Sequence, residues 1–88
     1  MDREEVLLSK YGLTLEAYDA LLQAQGGKCK ICREPPMGNL GRPLTVDHDH
    51  QTGRIRGLLC VSCNSMLGMA KDNTTTLLKA IQYLKGNL

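Results

Sequence analysis

The stretch "GRIRGLLCVSCN", residues 53–64, ends in a Cys-x-x-Cys pair, and a matching pair, "CKIC", occupies residues 29–32. Each pair can form a tight turn, or knuckle, whose two sulfurs point at one centre, so two knuckles complete a tetrahedral thiolate site for Zn²⁺. Disulfides, free structural thiols and a redox Cys-x-x-Cys are the alternatives. The two matched pairs favour a structural zinc ion, and its predicted ligands are Cys29, Cys32, Cys60 and Cys63.

The composition explains why such a chain needs a metal ion. An 88-residue chain forms one small domain, and with no Trp, no Phe and three Tyr its core must be mainly aliphatic. A core of this kind usually requires a staple. The apolar runs are short and the first residues, "MDREEV", are acidic, so we expect neither a membrane span nor a secretory signal. We therefore expect a reducing cytoplasm, where disulfides are rare.

Helical periodicity and turn residues predict the elements around the knuckles. A helix capped by Thr14 should end at Gly26-Gly27, and Gly53 can supply the tight turn between two strands. The other predicted elements are a helix over residues 3–10, strands in "LTVDH" (44–48) and "RIRGLLC" (54–60), a helical stretch over 63–70 and a last helix from Asn73 or Thr74. An irregular loop is predicted around Pro35, Pro36, Gly38, Gly41 and Pro43.

The last predicted helix carries an apolar stripe. Its members are Leu77, Ile81, Leu84 and Leu88. We expect this stripe to pack on the domain's own helices and the protein to be a monomer. Dimerisation through Leu77, Ile81 and Leu84 is the alternative.

The stretch "TVDHDHQTG", residues 45–53, holds both histidines of the chain in the row Asp47, His48, Asp49 and His50. Such a row binds a metal, moves protons or belongs to a solvated loop. Asn64 directly follows the last cysteine, at the start of a predicted helix, where its side chain can point back toward this row.

Taken together, "CKIC", "DHDH" and "GRIRGLLCVSCN" resemble the recombination endonuclease VII family, within the HNH or ββα-metal nuclease superfamily. The resemblance covers about residues 14 to 70. It implies a small α+β fold: a zinc-stabilised ββα-metal (HNH, treble-clef-like) nuclease core with N-terminal and C-terminal helices. The expected single domain, 1–88, comprises a helical lead-in (1–26), the zinc-bound core (27–70) and a C-terminal helix (71–88).

The resemblance also implies roles for individual residues. Asp47 corresponds to the acidic metal ligand, His48 to the general base, and Asn64 to the metal ligand on the helix. His50 is similar to a second histidine that contacts the scissile phosphate, although a third metal ligand or a surface residue fits it too. Asp49 reads as a solvated loop carboxylate or a partner of the site residues.

Phosphodiester hydrolysis explains why these residue types are needed. A divalent cation stabilises the negative charge that develops on the phosphate and the leaving oxygen. The carboxylate of Asp47 and the amide oxygen of Asn64 suit Mg²⁺ or Mn²⁺. A histidine titrates near neutral pH and can accept a proton from water if a hydrogen bond, such as one to a backbone carbonyl, fixes its other nitrogen. Strand alternation predicts Asp47 and His48 on opposite faces.

The charge distribution favours DNA as the partner. The formal net charge is +2, yet residues 28–56 hold six basic and three acidic residues, a local surplus of three positive charges. Lys30, Arg54 and Arg56 are the predicted phosphate contacts, with Arg54 and Arg56 expected on one face of their strand. No aromatic residue lies between positions 19 and 82, so we expect little base stacking and little sequence specificity.

The resulting function hypothesis is a metal-dependent, HNH-type DNA endonuclease acting in the cytoplasm, that of the host if the chain is phage-encoded. The alternatives are a non-catalytic, zinc-stabilised DNA-binding or adaptor module and, behind it, a redox protein. Junction-resolving members of the family continue into helices that build an intertwined dimer. Only 18 residues follow Ala70, so we expect a nicking endonuclease instead.

Overall fold

The computed structural model describes residues 3–36 and 43–86 and places them in a small α+β arrangement of four helices and one two-stranded sheet. The helices are α1 (Arg3–Tyr11), α2 (Leu15–Ala24), α3 (Val61–Met69) and α4 (Thr74–Leu84), and the strands are β1 (Thr45–His48) and β2 (Ile55–Leu59). The predicted elements are all present. The predictions that concern Gly38, Gly41, Arg42 and Leu88 lie outside the described residues.

Residues at the helix ends set where α1 ends and where α2 begins. Gly12 takes a φ of 69°, which only glycine adopts without strain, and α1 ends there. The hydroxyl oxygen of Thr14 then accepts a hydrogen bond from the backbone N–H of Ala17, at 3.0 Å, and caps α2 as predicted. Gly26 and Gly27 also have positive φ and turn the chain into the first knuckle.

Strands β1 and β2 form an antiparallel hairpin with an irregular register. Asp47 lies opposite Gly57, but His48 lies opposite Ile55, so Arg56 is an extra residue in β2. Such a bulge breaks the alternation of side chains along a strand. The prediction that alternation puts Arg54 and Arg56 on one face of β2 is therefore wrong, because Arg54 precedes the strand and Arg56 is the bulged residue.

Helix α3 begins two residues earlier than predicted because a cysteine acts as its N-cap. The sulfur of Cys60 accepts a hydrogen bond from the backbone N–H of Cys63, at 3.3 Å. The second knuckle and the first turn of α3 are thus one structure. Since α3 packs on both strands, this cap fixes Asn64 next to the hairpin.

The core lies between α1, α2, the hairpin and the two knuckles. It contains nine buried apolar residues: Leu7, Tyr18, Cys29, Leu44, Val46, Leu58, Leu59, Cys60 and Cys63. Tyr18 of α2 is 2% exposed and donates a hydrogen bond from its hydroxyl to the backbone carbonyl of Leu44. Four of the nine are cysteines or the aromatic Tyr18, so the fully buried aliphatic core is small, although further aliphatic residues such as Leu21, Leu22 and Ile55 pack against it while partly exposed.

Gln25, at the end of α2, ties that helix to β2. Its Oε1 accepts from the backbone N–H of Leu58 at 2.9 Å, and its Nε2 donates to the carbonyls of Leu58 and Lys28 at 3.0 and 2.9 Å. This buried carboxamide occupies an edge of β2 as a neighbouring strand would. It therefore completes the backbone hydrogen bonding of β2 at a point where no third strand lies among the described residues.

Helix α4 does not pack as expected. None of its residues is buried, and Leu78, Ile81, Tyr83 and Leu84 are all exposed. The prediction that its stripe packs on the domain's own helices is wrong at Ile81 and Leu84, which are exposed, whereas Leu77 is half-buried. Asn73 caps this helix, since its Oδ1 accepts a hydrogen bond from the backbone N–H of Thr76 at 3.1 Å.

None of the helices in residues 3–36 and 43–86 combines the length and the apolar character that crossing a bilayer requires.

Candidate metal centre and candidate active site

The four cysteines converge on one point. Their sulfurs all lie within 4.8 Å of one another, and the sulfurs of Cys32 and Cys60 are 3.8 Å apart. Zinc–sulfur bonds in tetrahedral geometry separate the sulfurs by about 3.8 Å. The described residues therefore form a four-cysteine cluster that is arranged to bind a metal ion and fits Zn²⁺.

The pKa values of these thiols differ. Burial raises the pKa of Cys29, but hydrogen bonds from the knuckle backbone outweigh it and lower that pKa to about 6. Burial, with hydrogen bonds among the sulfurs, raises the pKa of Cys63 to about 12. Without a cation the four sulfurs are therefore not all thiolates at neutral pH. A bound metal ion resolves this, because it stabilises the deprotonated form of each ligand.

The turn of the hairpin is organised by Asp49. Its Oδ1 accepts hydrogen bonds from the backbone N–H groups of Gln51 and Thr52, at 2.8 and 3.2 Å. These bonds hold the pKa of Asp49 below its ordinary value. The carboxylate thus shapes the turn between His48 and β2, which agrees with the expected supporting place of Asp49 in a loop.

Four of the predicted site residues border one cleft, which we call the Asp47 cleft. It has a volume of ≈ 170 Å³ and lies between the end of β1, the hairpin turn and α3. Asn64, Leu67 and Gly68 share one face of α3 and form one wall. The remaining lining residues are Tyr11, Thr45, Val46, Asp47, His48, His50 and Asp72. The structure therefore brings Asp47, His48, His50 and Asn64 together, although Asp47 and His48 were expected on opposite faces of β1.

His48 lies between two other rings. Its ring centroid is 5.7 Å from that of Tyr11 and 4.6 Å from that of His50. Within residues 3–36 and 43–86 no backbone carbonyl accepts a hydrogen bond from the His48 ring, so the described residues do not provide the orienting bond that the sequence suggested. Contacts with neighbouring rings surround the imidazole instead. His50 is the more exposed of the two, with 71% of its side chain accessible.

Asp47 is 7% exposed and already neutralised by a cation of the chain. Its carboxylate accepts two hydrogen bonds from Arg56, at 2.7 Å from Nε and 3.0 Å from Nη2. The same Nη2 donates to Oδ2 of Asp72 at 3.3 Å, and the contact with Asp47 raises the pKa of Arg56. Oδ2 of Asp72 also lies 3.9 Å from Nε2 of His50. One guanidinium thus joins two carboxylates at the edge of the cleft.

The three predicted phosphate contacts differ in their surroundings. Arg54 is exposed, and its side chain makes no ion pair with any other described residue. Lys30 donates from Nζ to the carbonyl of Arg56 at 3.0 Å, and its stem lies so close to Gly57 that an added Cβ there would be 2.7 Å from Lys30 Cδ. Arg56 is engaged by carboxylates. Its proximity to the cleft was predicted, but its ion pairs were not.

Three residues that contact the site or support it were not predicted from the sequence. Tyr11 and Asp72 reach the Asp47 cleft from α1 and from the α3–α4 link, and Gln25 supports β2. Two consecutive residues with left-handed backbone, Lys71 (φ 57°) and Asp72 (φ 55°), set the position of that link. The only local signal at Asp72 is its position: it is a polar residue just after the end of α3 and immediately before Asn73, the N-cap of α4.

Among the described residues, the cysteine cluster is the one group in which three or more His, Cys, Asp or Glu donors meet within metal-binding distance of one another. The Asp47 cleft offers a carboxylate and an amide instead. This smaller donor set resembles the incomplete protein ligation that Mg²⁺ usually accepts, with water and phosphate as its other ligands.

Comparison with known proteins gives a consistent result. The family model for recombination endonuclease VII matches residues 4–86, beyond the predicted resemblance at both ends. The chain is 46% identical over 83 residues to the Gene 59 protein of Mycobacterium phage D29 and 43% identical over 82 residues to the Gene 59 protein of Mycobacterium phage L5. These alignments cover 93% and 92% of this chain and 49% of each relative, so the chain spans about half the length of the curated relatives it matches. No solved structure matches. The chain therefore belongs to the recombination endonuclease VII family.

Proposed function

We propose that this protein is a metal-dependent endonuclease that hydrolyses phosphodiester bonds in DNA, with an HNH-type site in residues 27–70. The observation that carries the proposal is the Asp47 cleft, where Asp47, His48, His50 and Asn64 meet at the junction of hairpin and helix. Family membership supports the nuclease class. The phage origin of the matched relatives supports the cytoplasm of an infected host as its place of action.

His48 is the proposed general base. An imidazole with an accessible nitrogen can take the proton of a water that attacks the phosphate. His48 is half-buried and borders the cleft, and its contacts with Tyr11 and His50 restrict where the ring can lie. His50, the more exposed imidazole, is the proposed contact to a phosphate oxygen.

Asp47 and Asn64 are the proposed ligands of one divalent cation, Mg²⁺ or Mn²⁺. The fit rests on their donor atoms, since a carboxylate and an amide oxygen border the same cleft and suit a hard cation. When bound there, such an ion stabilises negative charge that develops on the phosphate. The 2.7 Å contact of Asp47 with the Arg56 guanidinium supports this assignment, because a buried carboxylate beside a cleft favours a positive partner.

Zinc is the proposed ion of the cysteine cluster, with a structural role. Four sulfurs leave no coordination position for substrate. The cluster joins Cys29 of the first knuckle, which precedes the hairpin, to Cys60, the N-cap of α3, and so holds the start of α3 and Asn64 near the hairpin.

DNA is the proposed substrate, held through its backbone. A polar groove of ≈ 370 Å³ adjoins the Asp47 cleft and is bordered by Arg56 and Lys71 as well as His50. Arg54 is exposed beside the turn, where a phosphate can reach it. Phosphate contacts of this kind carry no sequence information, so we expect cleavage with little sequence preference.

The deciding experiment measures nicking of supercoiled plasmid by the zinc-loaded protein, with and without Mg²⁺. His48→Ala should lose cleavage by a factor of about 10² or more, because it removes the proposed base, while DNA binding and zinc content remain. His50→Ala is the matched control, since it removes the neighbouring imidazole and should retain measurable cleavage.

Cleavage by His48→Ala at the parent rate would reject the base assignment. A parent protein that binds plasmid but never nicks it, at any Mg²⁺ or Mn²⁺ concentration, would favour the non-catalytic DNA-binding module.

A further inference from the structure

The ion pairs around Arg56 form a chain of three groups across the edge of the Asp47 cleft. The guanidinium contacts both oxygens of Asp47, at 2.7 and 3.0 Å, and one oxygen of Asp72, at 3.3 Å. Arg56 is therefore the positive partner of the same carboxylate that we assign to the divalent cation. A cation and this guanidinium compete for Asp47.

The backbone supports this three-group arrangement from both sides. Arg56 is the bulged residue of β2, and a bulge re-aims a side chain that alternation would direct elsewhere. Asp72 has a φ of 55° and follows Lys71 at 57°, a left-handed pair that costs free energy in residues other than glycine. Two local departures from regular structure thus bring one guanidinium and one carboxylate into contact.

The carboxylates of Asp47 and Asp72 differ in burial, and this difference suits them to different partners. Asp47 is buried and lines the cleft together with Asn64, whereas Asp72 is more exposed, with 26% of its side chain accessible. Arg56 is itself 37% exposed. The guanidinium can therefore keep its contact with the more exposed Asp72 without the deeper contact with Asp47.

We propose that Asp72 is a positioning residue that retains the Arg56 guanidinium when Asp47 binds a divalent cation. The inference rests on the proposed function, because it takes Asp47 as a cation ligand. Asp72 lowers the cost of releasing Asp47 by offering Arg56 a second anionic acceptor. In this role Asp72 acts through the guanidinium, whose Nη2 donates to its Oδ2 at 3.3 Å, and is not one of the proposed cation ligands.

The test measures equilibrium binding of Mn²⁺ to the zinc-loaded protein, with free Mn²⁺ followed by electron paramagnetic resonance and no DNA present. Asp72→Asn should weaken binding roughly two- to five-fold, the range of a partly exposed ion pair. Asparagine tolerates left-handed backbone, so this variant should keep the fold. Arg56→Gln should tighten binding, because it removes the competitor for Asp47.

A double-mutant cycle separates this mechanism from simple charge removal. In the Arg56→Gln background, Asp72→Asn should no longer change the Mn²⁺ dissociation constant. Asp49→Asn is the matched control: it removes one negative charge from the same groove, and its amide oxygen can still accept the hydrogen bonds of the turn.

The outcomes distinguish this inference from the proposed function. If Asp72→Asn weakens Mn²⁺ binding equally with and without Arg56, or no more than Asp49→Asn does, the positioning role is overturned. Asp47→Asn serves as the reference for the cation site. If Asp47→Asn binds Mn²⁺ as tightly as the parent, the proposed cation site falls and the inference falls with it. If Mn²⁺ binding requires Asp47 but is unchanged by Asp72→Asn, the inference alone fails.

Discussion

Helices α2 and α4 have similar lengths, ten and eleven residues, and each has a polar N-cap, yet their surroundings are opposite. Helix α2 buries Tyr18 and ends in the buried Gln25, which bonds to β2. Helix α4 buries nothing, and Leu84 is 82% exposed. Local caps and spacing therefore indicate where each helix lies, whereas a partner of matching shape determines whether its apolar stripe becomes part of a core and gains the packing that stabilises most short helices.

The partner available to α2 is the region around the cysteine cluster. Cys29 follows α2 by a short turn, Gln25 bonds to Leu58 of β2, and Tyr18 bonds to the carbonyl of Leu44 just before β1. Helix α4 follows α3 through the left-handed pair Lys71 and Asp72, which directs it away from this core. Three substitutions test this contrast between α2 and α4, beginning with the one that should unfold the core.

Cys60→Ser should abolish the fold of the zinc-loaded protein. Cys60 is both a cluster ligand and the N-cap of α3, and structural zinc contributes about 10 kcal/mol or more, comparable with the whole stability of a small domain. The expected result is loss of bound zinc and of the α-helical signal in far-ultraviolet circular dichroism. Ser62→Ala, two residues away and exposed, is the control and should change neither. A folded Cys60→Ser protein without zinc would show that the apolar core suffices.

Gln25→Ala should lower the free energy of unfolding by about 1–3 kcal/mol, because it leaves the buried N–H of Leu58 without its hydrogen-bond partner, while the Leu58 carbonyl still accepts from the N–H of Lys30. Denaturant unfolding of the zinc-loaded protein measures the change. Gln23→Ala removes the same side chain from an exposed position on α2 and should stay within about 0.5 kcal/mol of the parent. Equal effects of the two variants would mean that Gln25 does not tie α2 to β2.

Leu84→Ala should change the free energy of unfolding by less than about 0.5 kcal/mol, because the side chain has little packing to lose. Leu58→Ala makes the same truncation in the core and should cost about 2–5 kcal/mol. The same denaturant experiment compares them. A Leu84→Ala cost close to that of Leu58→Ala would show that α4 is covered in solution and would remove the contrast between the helices.

Much of the architecture was predictable because it depends on local patterns. Thr14 and the glycines at 12, 26 and 27 act on their own helix ends, and the spacing of the cysteines is a local property of each knuckle. Asn64 was predicted to lie near the Asp/His row on a local pattern too, because it immediately follows a knuckle cysteine. Its position beside the Asp47 cleft is consistent with that expectation.

The partners of Asp47 were less accessible to sequence reasoning. Arg56 was expected to contact DNA phosphates by strand alternation, but a one-residue bulge redirects it toward Asp47. A bulge has no clear signature in "RIRGLL", because any of several residues can be the extra one. Asp72 is separated from Arg56 by 15 residues and a helix, so only the assembled fold reveals their contact.

The amino-acid sequence by itself determined the cysteine cluster, the helix ends, the hairpin and the family, because these depend on residue types at short, fixed spacings. Only the tertiary structure decided which cation neutralises Asp47, which ring lies against His48 and which helix lacks a partner. Such contacts join residues that are distant along the chain. Whether these contacts form depends on the angle through which each bulge, turn and helix end redirects the backbone. Residue spacing does not specify that angle.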